Sequence, residues 1–282
     1  MSRKHRADLP PGAENPLNAA VAARDRSTID MVTQAVAHNQ TLLAYQPVVV
    51  THNRKIGFYE GLIRIMDDTG RVIPARDFMP VVEKDKLGRE IDALALNMGL
   101  RTLFENPSLR LSINMSAHSI GYDRWLNTVR RWLKKDNTLG ERLILEITET
   151  SALDQPEIVI NFMERMAEHG ICFALDDFGA GYTSLRYLKD FYFDILKIDM
   201  SYCNGIAHDP DLKAMVGAMM SIGRHFDMLV VAEGVERAED VDVLAELGVD
   251  CMQGFYFDAP KVRPNWMFGE RRGQRNVQAR AC

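Results

Sequence analysis

Two adjacent carboxylates end an apolar run in the segment FALDDFGAGYTSL, residues 173–185. They are Asp176 and Asp177, and glycines follow at Gly179 and Gly181. Two like charges side by side at the end of a buried strand repel each other, because a low-dielectric interior does not screen them. A helix N-cap pair is one explanation for this pattern, and a shared binding site for cations is another.

Polar side chains also stand at the ends of the other strand-like runs. If these strands are parallel and share one sheet, their carboxyl ends meet at one mouth, where the side chains should converge. A single buried glutamate is more often half of a structural ion pair, but convergence from six strands is hard to explain in that way. The residues are Glu60, Asn114, Glu146 with Glu149, Asp176 with Asp177, Lys197 with Asp199, Glu233 with Glu236, and Gln253, while Gln46 lies in a first strand that runs the opposite way.

So many carboxylates cannot remain ionised in one cleft without cations, because each raises the pKa of the next. The candidate ligands are carboxylate and amide oxygens, since the nearest histidine and cysteine, His118 and Cys172, are displaced from the strand ends. Oxygen ligands favour Mg²⁺ or Mn²⁺, with Ca²⁺ as a third choice, over Zn²⁺. Adjacent aspartates can address two ions at once, and ions about 3.5–4 Å apart stabilise both oxygens of a phosphoryl displacement.

Lys197 allows a different chemistry, because a lysine at the end of a barrel strand can form a Schiff base. Such a lysine works through a lowered pKa, whereas carboxylates around Lys197 hold it protonated. A cation that orients water or stabilises phosphoryl charge fits better. The glutamate pairs also suggest a glycosidase, but the amide and the aspartate pair exceed what two-carboxylate chemistry needs.

Eight apolar or β-rich runs alternate with amphipathic helical patterns over residues 27–264. The alternation predicts an α/β fold of the TIM (β/α)8 barrel type, which commonly needs about 250 residues. Only THNR separates the first two runs, which is too short for a parallel crossover, so we expect a modified barrel with an antiparallel first strand. An open doubly wound sheet is the alternative. The predicted strands are 42–50, 55–63, 109–114, 142–148, 172–177, 193–199, 228–233 and 251–257, and the predicted helices are roughly 78–105, 118–135, 156–169, 208–226 and 237–247.

The composition is typical of a soluble globular protein, with 282 residues, 46% hydrophobic residues and a formal net charge of -5. This balance argues against broad binding to nucleic acid polymers or anionic membranes. The four cysteines are scattered without a C-x-x-C pair, which fits a reducing cytoplasm. Neither a signal peptide nor a run of about 20 apolar residues is evident. Residues 1–26 and 265–282 are predicted to be flexible tails.

Taken together, the strand-end motifs resemble those of the EAL-domain family, bacterial phosphodiesterases that act on cyclic di-GMP. The resemblance spans roughly residues 27–262, and the order and spacing of its motifs make it specific. The matching segments are YQPV around Gln46, EGLIR at 60–64, NMS at 114–116, EITET at 146–150, DDFGAGY at 176–182, LKID at 196–199, AEGVE at 232–236 and QGF at 253–255.

The resemblance implies a cytoplasmic, metal-dependent hydrolase that opens cyclic di-GMP to linear pGpG. Two Mg²⁺ or Mn²⁺ ions are expected in each site, and Ca²⁺ is expected to bind but inhibit. Asp176 is implied to bridge to the second ion, with Asp177 and Glu233 nearby. Lys197 is implied to hold or activate the attacking water, and Glu233 and Asp177 belong to the same catalytic group. The implied ligands of the first ion are Glu60, Asn114, Glu146 and Asp176.

Further roles follow from the same resemblance. Glu149 is implied to steady the loop that contains DFGAGY. Asp199, Glu236 and Gln253 are implied to lie behind the ligands or to position water. The implied substrate contacts are Gln46, Leu62, Arg64 and Gln253, and Arg64 suits a phosphate oxygen.

Two positions depart from the usual motifs of the family. The signature reads EGL instead of EAL, because Gly61 replaces an alanine, which removes one methyl group and loosens the backbone slightly. Ala180 stands where threonine is commoner, so the loop lacks a hydroxyl. Neither change deletes a predicted metal ligand.

Two further hypotheses are a receptor that holds cyclic di-GMP without cutting it and a purely structural interaction domain. Receptors of this family usually lack several ligands, and this chain lacks none. Besides cyclic di-GMP, the expected partners are a second copy of the chain and a regulatory domain or protein. The aromatic segment 187–195 supports a dimer surface, although Tyr192 and Phe193 could instead seal the outer layer of the barrel.

Overall fold

The computed structural model describes residues 16–181 and 188–268. No helix within these two stretches has both the length and the apolar character of a membrane-spanning helix. The strands are β1 (Thr41–Val50), β2 (Ile56–Met66), β3 (Val72–Pro74), β4 (Leu111–Asn114), β5 (Leu143–Thr148), β6 (Cys172–Phe178), β7 (Ile195–Ile198), β8 (Leu229–Ala232) and β9 (Cys251–Met252). The helices are α1 (Pro16–Ala37), α2 (Met79–Val82), α3 (Lys86–Glu105), α4 (Asp123–Lys135), α5 (Glu149–Asp154), α6 (Pro156–Ala167), α7 (Met200–Cys203), α8 (Pro210–His225) and α9 (Ala238–Glu246).

Eight strands close into a barrel, as the sequence predicts. Their order is β1-β9-β8-β7-β6-β5-β4-β2, and β1 pairs with β2 to complete the ring. β1 is antiparallel to both of its neighbours, while the other barrel pairs are parallel. The short strand β3 adds to β2 outside the ring. The prediction of a modified TIM barrel with an antiparallel first strand is therefore confirmed.

Two layers of side chains fill the barrel, and the period of two along each strand sets both of them. The lower layer is an apolar cluster of Val48, Phe58, Ile144, Ala174, Ile195, Val231 and Cys251. Two residues closer to the mouth on the same strands, the chain carries Gln46, Glu60, Glu146, Asp176, Lys197, Glu233 and Gln253. On β4, Asn114 follows Ser112 at the same spacing. These eight polar residues are called the polar layer below.

The helix predicted over 78–105 is two helices. α2 ends at Val82 and α3 begins after Asp85, whose backbone is extended (φ -95°, ψ 173°). Asp85 occupies the N-cap position of α3 without a side-chain capping hydrogen bond, and its extended backbone interrupts the helix within the charged sequence EKDK. α3 then buries Leu96 and Leu100 against the outside of the barrel.

At both ends of the described chain, residues predicted to belong to flexible tails are instead structured. α1 begins at Pro16, so residues 16–26 are helical, because this alanine-rich stretch has high helix propensity. At the other end, the ring of Trp266 lies 5.2 Å from that of Tyr45 and 5.8 Å from that of Tyr59, edge to face. Trp266 therefore belongs to the folded unit, and composition alone did not reveal this packing. Residues 1–15 and 269–282 of the predicted tails lie outside the described residues.

Candidate active site

Lys197 lies at the centre of the polar layer and is 1% exposed. Its Nζ lies 2.7 Å from Glu146 Oε2, 2.8 Å from Asp176 Oδ1 and 2.8 Å from Glu233 Oε1. Glu60 Oε2 is further away, at 3.8 Å. Burial alone would lower the pKa of Lys197, but the surrounding carboxylates raise it well above the ordinary value. A lysine held protonated in this way does not suit Schiff-base chemistry.

The carboxylates around Lys197 titrate unequally. Burial raises the pKa of Glu146 well above its usual range and that of Glu233 to about 8, although the charge of Lys197 acts in the opposite direction. Burial would also raise the pKa of Glu60, but Lys197 and two amide hydrogen bonds lower it instead. Without cations, the cluster therefore holds protons near neutral pH, as crowded carboxylates should.

Two amide side chains fix the carboxylate of Glu60. Asn114 Nδ2 donates to Glu60 Oε1 at 2.8 Å, and Gln253 Nε2 donates to Glu60 Oε2 at 2.6 Å. Gln253 Nε2 also donates to Gln46 Oε1 at 3.1 Å, and Gln46 Nε2 donates to the carbonyl of Asp258 at 3.2 Å. Because the nitrogen of Asn114 is committed to Glu60, its amide oxygen is the atom it can offer to a cation.

Asp176 and Asp177 both face the mouth, although consecutive strand residues normally face opposite sides. The register of β6 against β7 shifts between Leu175 and Phe178, and Asp177 has a left-handed backbone with φ 54°. Such a bulge redirects a side chain, and aspartate tolerates positive φ better than most residues. Oxygens of Asp176, Asp177 and Glu233 thereby lie within 4.8 Å of one another. Burial and the charge of Asp176 raise the pKa of Asp177 to about 6.

The donor set of the cluster fits a pair of hard divalent cations. Among the described residues, Glu146 Oε1 is buried without a hydrogen bond, whereas Asp176 Oδ1 lies 2.8 Å from the Lys197 ammonium. A buried carboxylate oxygen without a donor is costly unless a cation contacts it. When ionised, five carboxylates and one ammonium leave four negative charges, which two divalent cations would balance. The carboxylates are those of Glu60, Glu146, Asp176, Asp177 and Glu233.

A cavity of about 540 Å³ opens beside these carboxylates. Glu60, Asn114, Asp176, Asp177 and Glu233 lie on its wall. The rest of the wall is largely apolar and includes Leu62, Met79, Pro80, Ala95, Met115 and Met200. The volume of this cavity is in the range of small-molecule binding sites. Such sites also combine largely apolar walls with a few charged groups.

The other predicted substrate contacts have different surroundings. Arg64 is half-buried on β2, does not line this cavity, and donates from Nη1 to the carbonyl of Ile63 at 2.9 Å. Gln46 and Gln253 lie behind Glu60 and not on the cavity wall. Of the four, the structure brings Leu62 alone to the wall of the cavity.

The loop after β6 is held from two sides at Gly179. Glu149 Oε2 accepts the N–H of Gly179 at 3.2 Å, and the hydroxyl of Tyr202 donates to its carbonyl at 3.0 Å. Ala180 closes a turn by donating its N–H to the carbonyl of Asp177 at 3.1 Å. The loop continues through 182–187, which lies outside the described residues.

The remaining predicted residues lie at the periphery. Asp199 caps α7 by accepting the N–H of Ser201 at 3.0 Å. Glu236 is exposed on the loop after β8 and does not line the cavity. Of the two aromatic residues predicted to seal the outer layer, Phe193 is buried and does so, while Tyr192 is 58% exposed and does not.

Asp92 on α3 lies on the cavity wall and was not among the predicted site residues. Its Oδ2 accepts the N–H of Ser116 at 2.9 Å and the hydroxyl of Ser119 at 2.6 Å, which holds the turn that follows Asn114. Burial raises the pKa of Asp92 to about 7. The one signal in the sequence was an aspartate within the apolar face of a helix, in EIDALAL.

Comparisons with known proteins show which family the chain resembles. Residues 29–260 match the family model described as the EAL domain. The chain is 32% identical over 232 residues to the bifunctional diguanylate cyclase/cyclic di-GMP phosphodiesterase MucR of Pseudomonas aeruginosa, covering 80% of this chain and 34% of that protein. It is 32% identical over 237 residues to the cyclic di-GMP phosphodiesterase PdeF of Escherichia coli, covering 83% of this chain and 32% of that protein.

A solved structure extends the comparison to three dimensions. The PaMucR phosphodiesterase in its c-di-GMP complex has a TM-score of 0.76 and 31% identity to this chain, covering 86% of this chain and 99% of that one. The chain thus matches one whole solved unit, while it spans about a third of the length of the curated relatives it matches.

Proposed function

The chain belongs to the EAL domain family, and from this premise we propose that it is an active, metal-dependent cyclic di-GMP phosphodiesterase. The reaction is hydrolysis of one phosphodiester bond of cyclic di-GMP to give linear pGpG. The observation that carries the proposal is the polar layer around Lys197, in which buried carboxylate oxygens converge beside a cavity. The relatives named as phosphodiesterases support the choice of substrate.

In this proposal the residues of the polar layer hold two Mg²⁺ or Mn²⁺ ions. Asp176 would contribute to both positions, and Asp177 and Glu233 would complete the second one. When bound, the two cations supply Lewis acidity toward the phosphoryl group and the attacking water. The ligands of the first position are Glu60, Asn114, Glu146 and Asp176.

The protein's own groups orient the water and move its proton. Lys197 stays protonated and positions the attacking water through Nζ. Glu233 Oε1, 2.8 Å from Nζ, is the proposed acceptor of the proton that the water loses. Attack on phosphorus breaks the bond to a ribose 3′ oxygen, which takes up a proton and leaves the 5′ phosphate on pGpG. Leu62 and the other apolar residues of the wall contact the substrate.

Partners beyond the substrate belong to the same proposal. We expect a homodimer, and a regulatory domain or protein that acts on this catalytic unit in the bacterial cytoplasm. The relatives that carry the EAL-like region within a chain about three times as long support a regulatory partner.

A hydrolysis assay tests the proposal. Purified protein is incubated with cyclic di-GMP and Mg²⁺ or Mn²⁺ at several protein concentrations, and pGpG is measured by chromatography. We expect metal-dependent formation of pGpG, inhibition by Ca²⁺, and no turnover in Glu60→Ala, Asp176→Ala or Lys197→Ala. The exposed Glu246→Ala on α9 serves as the control and should retain activity.

Two outcomes would contradict the proposal. Tight binding of cyclic di-GMP without cleavage, at every metal and protein concentration, would identify the chain as a receptor. Full activity of Glu60→Ala would refute the assignment of the metal ligands.

A further inference from the structure

Ile113 on β4 fits between two glycines, Gly61 on β2 and Gly99 on α3. Its side chain is 1% exposed. A Cβ added at Gly61 would lie 2.6 Å from Ile113 Cδ1, and one added at Gly99 would lie 2.7 Å from the same atom. Carbon atoms pack at about 3.5–4.0 Å, so neither position has room for a methyl group while Ile113 keeps its place. These three residues are called the Ile113 socket below.

Two residues of the socket are chain neighbours of proposed metal ligands on β2 and β4. Glu60 precedes Gly61 and Asn114 follows Ile113 in the chain, and Gly61 is the register partner of Ile113 in the β2–β4 pair. The hydrogen bond from Asn114 Nδ2 to Glu60 Oε1, at 2.8 Å, joins the same two strands across the socket, because Glu60 lies one residue before Gly61 and Asn114 one residue after Ile113. A change in strand separation at the socket therefore changes the distance between these two ligands.

Ile113 cannot easily give way to a larger residue at position 61. Its δ-methyl has β2 on one side and the backbone of α3 at Gly99 on the other, so rotation away from Gly61 leads toward α3. Close-packed interiors transmit such a displacement to the backbone instead of absorbing it.

We propose that the Ile113 socket is a positioning device for the metal site. Ile113 sets the spacing of the strands that carry Glu60 and Asn114, and it requires glycine at position 61. The departure EGL is therefore matched by Ile113 and Gly99 within this chain. This inference rests on the proposed metal site and deepens it, because Mg²⁺ tolerates little deviation from octahedral geometry at about 2.0–2.1 Å.

The test is rescue of Gly61→Ala by a second substitution. We expect Gly61→Ala to weaken Mn²⁺ binding roughly tenfold, as loss of support behind a ligand typically does. Valine at 113 lacks the δ-methyl, while the carbonyl of Ser112 stays 3.3 Å from the added Cβ. Gly61→Ala with Ile113→Val should therefore restore most, but not all, of the lost binding. Mn²⁺ affinity is measured by titration calorimetry, and thermal melting shows that each variant is folded. If Gly61→Ala alone does not fold, folding of the double variant is the same rescue.

Gly99→Ala is the matched control, because it meets the same side chain from the helix. Its Cβ would also lie 2.8 Å from Ile113 Cγ1, and valine keeps an atom at that position. Ile113→Val should therefore not restore the melting temperature of Gly99→Ala. Rescue of both variants, or of neither, would overturn the assignment to the δ-methyl.

A crystal structure of Gly61→Ala separates this inference from the proposed function. The separation of Glu60 Oε1 and Asn114 Nδ2 should increase from 2.8 Å, whether or not the protein binds metal or cleaves cyclic di-GMP. An unchanged separation, or wild-type Mn²⁺ affinity in Gly61→Ala, would overturn the inference. If the wild-type protein binds Mn²⁺ but forms no pGpG, the proposed phosphodiesterase activity is contradicted, whereas the positioning role of the Ile113 socket is not.

Discussion

Single side chains set the charge balance of the candidate site, and Lys197 is central to it. Its Nζ lies within 2.8 Å of three carboxylates, yet one ammonium cannot neutralise the whole cluster. The remaining charge must be balanced by protons or by cations. Burial and the neighbouring carboxylates accordingly raise the pKa values of Glu146 and Glu233. In the proposed site, lysine and divalent cations would therefore stabilise the same carboxylates.

Replacement of this lysine should make the fold depend more strongly on metal. We expect Lys197→Met to abolish turnover. Without metal, the substitution should also lower the free energy of unfolding by about 3 kcal/mol, because it leaves buried carboxylates unpaired. Mg²⁺ should then raise the melting temperature of the variant more than that of the wild type. Thermal melting with and without Mg²⁺ measures both effects, with the exposed Lys134→Met as control. Equal Mg²⁺-induced shifts in variant and wild type would contradict this charge balance.

Asp92 predicts a pH dependence of stability. Its folded pKa of about 7 is far above the value of about 3.9 expected in the unfolded chain. The folded state therefore holds a proton that the unfolded state releases, so the stability that Asp92 contributes is complete below about pH 4 and is lost as the pH rises to about 7. Asp92→Asn keeps an acceptor for Ser116 and Ser119 without this titration. Its unfolding free energy relative to the wild type should therefore rise between pH 4.5 and 7.5, by at most about 4 kcal/mol.

Urea unfolding at several pH values measures this difference. The partly buried Asp136→Asn is the control, because hydrogen bonds from Thr138 lower the pKa of Asp136 and it does not titrate in that range. A difference between Asp92→Asn and wild type that stays constant from pH 4.5 to 7.5 would show that Asp92 is not held protonated.

At the scale of strands and loops, the most secure predictions came from periodicity and connection length. Alternation along the strands identifies Glu60, Glu146 and Lys197 as neighbours, because parallel strands place equivalent positions at one mouth. The four residues between the first two runs are enough to predict that β1 is antiparallel. Both arguments use only local sequence, which is why they succeed.

Features that depend on long-range packing could not be predicted in this way. The left-handed backbone at Asp177 follows from a register shift against β7, which no local pattern marks. Asp92 reaches the cavity from a helix, and its role depends on the turn after β4. The space at Gly61 is defined by residues 38 and 52 positions away, Gly99 and Ile113.

The loop after β6 carries a prediction at this scale. The Tyr202 hydroxyl and the Glu149 carboxylate both form hydrogen bonds with the backbone of Gly179, which lies two residues after Asp177. Tyr202→Phe removes one of these hydrogen bonds, which contributes a net free energy of about 1 kcal/mol. If the loop positions Asp177 for metal binding, loss of that free energy should weaken Mn²⁺ binding roughly fivefold. Titration calorimetry measures the change. The exposed Tyr192→Phe is the matched control, and wild-type affinity in Tyr202→Phe would mean that the loop does not support the metal site.

At the scale of the whole molecule, the hairpin that reverses β1 leaves a face of the barrel without a crossover helix. The chain after β9 covers this face. Lys261 and Tyr45 exchange backbone hydrogen bonds at 2.9 and 3.0 Å, and Trp266 packs against two tyrosines. The same segment reaches the site, because the carbonyl of Asp258 accepts from Gln46, which in turn contacts Gln253 behind Glu60. The folded unit therefore extends past the predicted boundary at residue 264.

A substitution at the end of this segment tests that boundary. We expect Trp266→Ala to lower the free energy of unfolding by about 2 kcal/mol, because it removes two edge-to-face ring contacts and the apolar area of a half-buried indole. Urea unfolding measures the loss, and the neighbouring exposed Met267→Ala should change stability little. Since the covering segment also holds Gln46 through Asp258, Mn²⁺ affinity should fall in Trp266→Ala as well. Unfolding at the wild-type urea concentration would place residues 265–268 outside the cooperative unit and restore the boundary at residue 264.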